Sequence, residues 1–109
     1  MDRTLTPEEL KSLLSGPERP TLLDIRRNAD YDSDKTIIPG AQRRDPEKII
    51  DWRRELQKNK LVIVYCVRGG SVSNSVVDHL RAQGLDAKFI EGGIVAWKNS
   101  SGDTAPGPL

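Results

Sequence analysis

The chain has 109 residues with Lys+Arg 17 against Asp+Glu 16, a formal net charge of +1, one cysteine and one histidine. A chain of this size holds one core and leaves no room for a duplicated domain, and its balanced charge excludes both a basic field for nucleic acid and an acidic, disordered character. One cysteine excludes an internal disulfide framework, and with one histidine it cannot build a zinc site alone, so no metal is expected.

No apolar run approaches the roughly 18 residues of a membrane span. The opening MDRTLTPEEL lacks the apolar centre of a secretory signal, so no membrane association and a cytoplasmic location are expected. Thr6-Pro7-Glu8-Glu9 reads as a helix start, with Thr6 as cap, Pro7 at the first helical position and Glu9 completing a capping box ahead of Leu10, Leu13 and Leu14. Gly16, Pro17 and Pro20 end that helix, and TLLDI, Thr21 to Ile25, reads as a buried strand placing Asp24 and Arg26 near its carboxyl end.

Arg27 to Pro39 is polar and reads as irregular, and Pro39-Gly40 make a turn before a short extended piece. Asp45-Pro46-Glu47 starts a second helix expected to run to Gln57, with Ile49, Ile50, Trp52 and Leu56 on its apolar side. LVIVY, Leu61 to Tyr65, is a continuous β-branched run, the pattern of a central strand covered on both faces. Val72, Val76, Val77 and Leu80 then fall at helical spacing up to Gly84, AKFIE is a further strand, and Gly92-Gly93 turn into a short helix holding Trp97. Strands alternating with helices indicate an α/β domain over residues 1–100 with a mostly parallel central sheet flanked by helices on both faces, and 101–109 read as a flexible tail without regular structure.

In such sheets ligands bind beyond the carboxyl ends of the strands, and Cys66 is the first residue past the most apolar strand. With a helix starting near Val72 or Ser73, the amides of Arg68 to Ser73 are expected to curl around the sulfur while the positive end of the helix faces it. Both favour a thiolate, the nucleophilic form, as does the charge of Arg68 where it points inward. Gly69 and Gly70 suit a backbone that must approach an anion closely. A lone intracellular cysteine is ordinarily a small core residue, and here its address and the glycines argue for chemistry.

LLDIR at 22–26, IPGA at 38–41, VIVYC at 62–66 and EGGIVAW at 91–97, in that order, resemble the motifs of the rhodanese family of sulfurtransferases from Leu5 to Trp97. The resemblance implies transfer of a sulfane sulfur from thiosulfate or a protein persulfide to cyanide or a thiol. Cys66 inherits the nucleophile's role, and Val67, Arg68, Gly69, Gly70, Ser71 and Val72 inherit the cradle that binds the substrate and persulfide. Asp24 and Arg26 become supporting residues: a buried carboxylate accepting from loop amides, with its arginine paired nearby. No cofactor is implied. The partners expected are a small sulfur-containing anion or protein persulfide and a protein thiol acceptor, with the protein itself a monomer or homodimer.

The chain departs from the family pattern C-x-x-G-x-R-S, because Ser71 and Val72 stand where Arg and Ser are usual. The loop also reads as one residue longer, a size associated with phosphatase and arsenate reductase relatives of this fold. Those grip an oxyanion with an arginine where this chain has Val72, which disfavours that alternative. A non-enzymatic persulfide carrier or binding module is the other alternative. Among the remaining residues, Asp32 to Lys35 read as a solvated loop and His79 as a packed or edge residue. The basic pairs Arg26-Arg27 and Arg43-Arg44 are weighed as anion attractors against a solvated face.

Overall fold

The structure is a computed structural model that describes residues 2–108. In chain order the elements are β1 (Thr4–Leu5), α1 (Pro7–Ser15), β2 (Thr21–Asp24), α2 (Asn28–Ser33), β3 (Thr36–Ile37), β4 (Gln42–Arg43), α3 (Ile49–Trp52), β5 (Val62–Tyr65), α4 (Ser71–Ala82), β6 (Ala87–Ile90), α5 (Gly93–Asn99) and β7 (Ala105–Pro106). Five strands form one sheet in the order β1-β6-β5-β2-β4, every pair parallel. This is the α/β arrangement with a parallel central sheet that the alternation of strands and helices implies.

Side chains alternate across β5, so its two faces seed two cores. Val62 and Val64 pack with Leu23, Trp52, Val76, Val77 and Leu80 under α3 and α4, while Ile63 and Tyr65 pack with Leu10, Leu22, Ile94 and Trp97 under α1 and α5. All four β5 residues are buried. β5 is therefore the strand covered on both faces, and the residue that follows it leaves the sheet at its centre.

Several elements differ from the sequence reading. β1 has no periodic signal of its own and forms because Thr4 and Leu5 register against Phe89 and Ile90 of β6. The segment from Arg27 to Pro39 contains α2 and β3 rather than irregular chain. The helix expected to run to Gln57 is a single α-turn between 3-10 turns at Pro46–Lys48 and Arg53–Glu55. Asp45 does cap it, accepting from the Glu47 amide at 2.9 Å. Its carbonyl also accepts from Trp52 Nε1 at 2.7 Å, which folds the short segment onto itself. The segment read as a tail without regular structure contains β7, which pairs antiparallel with β3. Trp97 Nε1 donates to the Asp103 carbonyl at 2.7 Å, and the Gly107 amide donates to the Lys35 carbonyl at 2.7 Å.

What holds the 27–39 segment is a buried charge cluster at the carboxyl end of β2. Arg26 is 2 % exposed and Asp24 fully buried. Arg26 Nη2 donates to Asp24 Oδ2 at 2.7 Å and Nε to Oδ1 at 3.1 Å, while Nη1 and Nη2 reach the carbonyls of Asp34 at 2.8 Å and Thr36 at 2.7 Å. Burial works against the Arg26 charge, but Asp24 overrides it and holds the guanidinium pKa above its ordinary value. Arg43 reaches Asp24 Oδ1 at 3.3 Å and the Arg26 carbonyl at 2.7 Å, and its guanidinium lies 4.3 Å from the Tyr31 ring centre.

Two predictions follow from this tethering. Asp24→Ala leaves two arginines facing a buried vacancy and is expected to remove about 3–5 kcal/mol of stability, read as a lower urea midpoint. Adding Arg26→Met to it should recover part of the loss. The second concerns Asp34, whose carboxyl is held at about 2 by the Lys98 ammonium and then by the Thr36 hydroxyl. A depressed carboxyl stabilises the fold above its unfolded value of 3.8 and loses that contribution as pH falls through about 2. Asp34→Asn should therefore melt below the parent at neutral pH, with the gap closing towards pH 2.

Candidate active site

Cys66 begins the loop between β5 and α4, in the middle of the sheet. Its Sγ accepts a hydrogen bond from Ser73 Oγ at 3.0 Å, with Cys66 6 % exposed and Ser73 fully buried. Ser73 is the third residue of α4, so the helix start fixes the hydroxyl against the sulfur. The helix begins at Ser71, slightly earlier than its apolar spacing indicates. Asn74 makes the first helical hydrogen bond, to the Gly70 carbonyl at 3.1 Å, and the amides of Ser71 to Ser73 precede it.

The other side of the loop is held by α5. The amides of Ile94 and Val95 donate to the carbonyls of Cys66 at 3.0 Å and Val67 at 3.1 Å. Because a trans peptide points its N–H opposite to its C=O, anchoring these two carbonyls turns the amides of Val67 and Arg68 away from α5. Among the described residues the amides from Val67 to Gly70 donate to no carbonyl or side chain. The anchoring demands glycine at 93: a Cβ there would stand 2.4 Å from the Val67 oxygen and 2.6 Å from the Cys66 oxygen, at a left-handed φ of 62°. Gly69 is pressed against the same turn, its Cβ position 3.1 Å from both the Gly92 nitrogen and the Ile90 oxygen. EGGIVAW is thus the floor on which the cysteine loop rests.

Of the remaining loop side chains, Arg68 and Ser71 are exposed. Val72, half-buried, packs against the core that holds Val76, Val77 and Leu80, so no charged group replaces the missing arginine at that position. Arg68 is exposed and makes no hydrogen bond or ion pair among the described residues. Asp24 ends the neighbouring strand β2, in register with Tyr65, and Arg26 follows just after it. Asp24 accepts from one loop amide, that of Arg26 just after β2, at 3.0 Å, and its oxygens are otherwise taken by the side chains of Arg26 and Arg43.

Three residues escape a reading by sequence. Ser73 had a signal, a hydroxyl in the first helical turn after a cysteine loop. Arg43 had none, because parallel pairing of β4 with β2 brings it to Asp24. Tyr65 looks like one more apolar strand residue, yet its hydroxyl accepts from the Ile38 amide at 3.1 Å and is pushed well above its ordinary pKa by burial and the Asp24 charge. His79 Nε2 lies 2.7 Å from Arg53 Nη1 on the flank of α4, consistent with a packed or edge position. Among the described residues no cluster of histidine, cysteine and carboxylates is suited to a metal, and no helix is long and apolar enough to cross a membrane.

Comparison with known proteins bears on the family and the fold. Residues 6–100 match the profile of the rhodanese-like domain. The chain is 31% identical over 97 residues to the probable adenylyltransferase/sulfurtransferase MoeZ of Mycobacterium tuberculosis, over 86% of this chain and 24% of that protein, so it spans about a quarter of that relative's length. It is 28% identical over 99 residues to the thiosulfate sulfurtransferase GlpE of Pseudomonas syringae pv. syringae, covering 90% of this chain and 89% of GlpE. Among solved structures, a rhodanese-like domain protein from Staphylococcus aureus superposes with a TM-score of 0.78 at 31% identity, over 89% of this chain and 91% of that one. With the profile running from the capping threonine of α1 through the end of α5, the chain belongs to the rhodanese-like domain family.

Proposed function

We propose that the protein is a sulfurtransferase that carries a sulfane sulfur as a persulfide on Cys66, taken from thiosulfate or a persulfide donor and given to cyanide or a thiol. The observation that carries this reading is the arrangement around one sulfur. Cys66 Sγ has a buried hydroxyl donor, and the loop that follows it has its first carbonyls tied down and its amides free of protein acceptors. In the first half-reaction the Cys66 thiolate attacks the outer sulfur of thiosulfate, the S–S bond breaks, and sulfite leaves with the bonding pair. In the second, an acceptor thiolate or cyanide attacks the outer sulfur of the persulfide and the Cys66 thiolate is released. Electrons balance within each step, so no cofactor is required.

The Ser73 hydroxyl and the free amides of Val67 to Val72 suit a sulfur anion, whose charge is diffuse and needs several modest donors rather than one fork. Hydrolysis of phosphate or arsenate chemistry would need a bidentate grip, and Val72 faces the core where that arginine would stand. A carrier without turnover shares the first half-reaction and differs only in the second. Since the chain has a single cysteine, the acceptor thiol must come from another molecule, which suits a reducing compartment such as the cytoplasm.

Intact mass after exposure to thiosulfate, and separately to a persulfide donor, is expected to rise by one sulfur atom. Cyanide or excess thiol should remove it, and Cys66→Ser should show no gain. A folded protein with a free thiol that gains no sulfur from either donor would sink the proposal; loading without discharge would leave the carrier reading in place. Ser73→Ala removes the hydroxyl donor and is expected to lower kcat/KM for sulfur transfer by about tenfold, the worth of one hydrogen bond to a charged group. Its unfolding midpoint should stay close to the parent's, and equal loss of both would make Ser73 a packing residue only.

A further inference from the structure

Beside the first turn of α4 lies a groove of about 370 Å3, lined by Arg27 and Glu47, by the hydroxyl residues Ser71 and Ser75, and by Val72 and Val76. It adjoins the cysteine loop, since Ser71 and Val72 begin the turn whose third residue, Ser73, binds Cys66 Sγ. The two basic pairs of the sequence divide sharply here. Arg26 and Arg43 are committed to Asp24, and Arg44 pairs with Glu55 at 3.0 Å. Arg27 is exposed and has no hydrogen bond or ion pair among the described residues. Glu47 is in the same condition: its amide is bound by Asp45, while its carboxylate has no partner among the described residues, Arg27 included.

A groove with one free cation, one free anion and two hydroxyls does not suit a bare dianion. Thiosulfate there would meet attraction from Arg27 and repulsion from Glu47, and at comparable range in the same solvent these offset one another. A head group carrying both charges uses both walls: a carboxylate accepts the planar guanidinium fork while an ammonium donates to Glu47. That is the pattern of an α-amino acid. We propose that this groove binds the amino-acid head of a low-molecular-weight aminothiol persulfide and thereby presents its outer sulfur to Cys66.

This assignment rests on the sulfurtransferase reading and specifies its donor. The Cys66 thiolate attacks the outer sulfur of the donor R–S–SH, and the bond between the donor's two sulfurs breaks. The inner sulfur leaves with the electron pair as R–S⁻, and the outer sulfur remains on Cys66 with its proton. Nothing is oxidised or reduced overall. Because both recognising side chains are exposed, each contributes modestly, and the preference expected is several-fold rather than many orders of magnitude.

The test compares second-order loading rates of the intact protein, read by mass, with the persulfide of free cysteine and with that of 2-mercaptoethanol, which has the same reacting bond and no charged head. Cysteine persulfide is expected to load several-fold faster. Arg27→Gln and Glu47→Gln are each expected to bring the ratio of the two rates towards one, with unfolding midpoints confirming that the fold is kept. Higher salt should compress the ratio in the parent protein more than in either variant. A ratio of one in the parent, or a ratio that neither variant moves, overturns the groove assignment alone. No loading by either persulfide overturns the transfer reading and the groove assignment with it.

Discussion

The buried carboxylate of Asp24 is the point on which this end of the molecule is organised. β2 stops there, and the two arginines that close on it come from opposite directions: Arg26 from the chain just after the strand, Arg43 from the edge strand β4. Each then reaches beyond the carboxylate, Arg26 to the carbonyls of Asp34 and Thr36 and Arg43 to the Arg26 carbonyl and the Asn28 side chain. An apolar cluster of equal volume would bury as much surface, but it would not specify where the next ten residues lie. Desolvating three charges costs free energy, and what the fold gains is a fixed path for α2 and β3.

That fixed path matters because the neighbouring strand carries the candidate nucleophile. Asp24 is in register with Tyr65, and Cys66 follows. α5 stands against the cysteine loop and its first amides hold the loop's carbonyls, while Tyr65, the residue before Cys66, holds the Ile38 amide through its hydroxyl. The loop is therefore anchored by α5 through its first carbonyls, which leaves its amides free of protein acceptors. The Ser73 hydroxyl on Sγ is held in place by the helix start and does not have to be ordered when substrate arrives.

How much of this can be read from the amino-acid string depends on whether a residue's role is local. The Thr6–Glu9 capping box and the all-apolar VIVY run act within a few residues of themselves, and both stand where the pattern puts them. The same holds for the cysteine at the strand's end and the glycines that follow it. β1 and β7 are two-residue strands that exist only because distant partners, β6 and β3, offer them an edge. The polar chain from Arg27 to Pro39 looks featureless because its order comes from Arg26, a residue outside it. The segment after Asp45 shows the reverse case, a sound cap and an apolar side that are overridden when Trp52 bonds back to the Asp45 carbonyl. Within the site, Ser73 and Tyr65 are ordinary residues of a helix and a strand until packing determines what their hydroxyls meet.

The solitary thiol also defines how the protein meets oxidants. A peroxide that converts Cys66 to a sulfenic acid leaves no second cysteine in the chain to condense with it, so protection by an internal disulfide is closed off. Reversal then depends on thiols diffusing in from solution, and they must reach the sulfur of a residue that is 6 % exposed. The burial that shields the nucleophile from casual oxidation equally slows its repair. Under sustained peroxide stress, the fraction of intact molecules is set by the race between a small oxidant and a bulkier reductant for a buried residue.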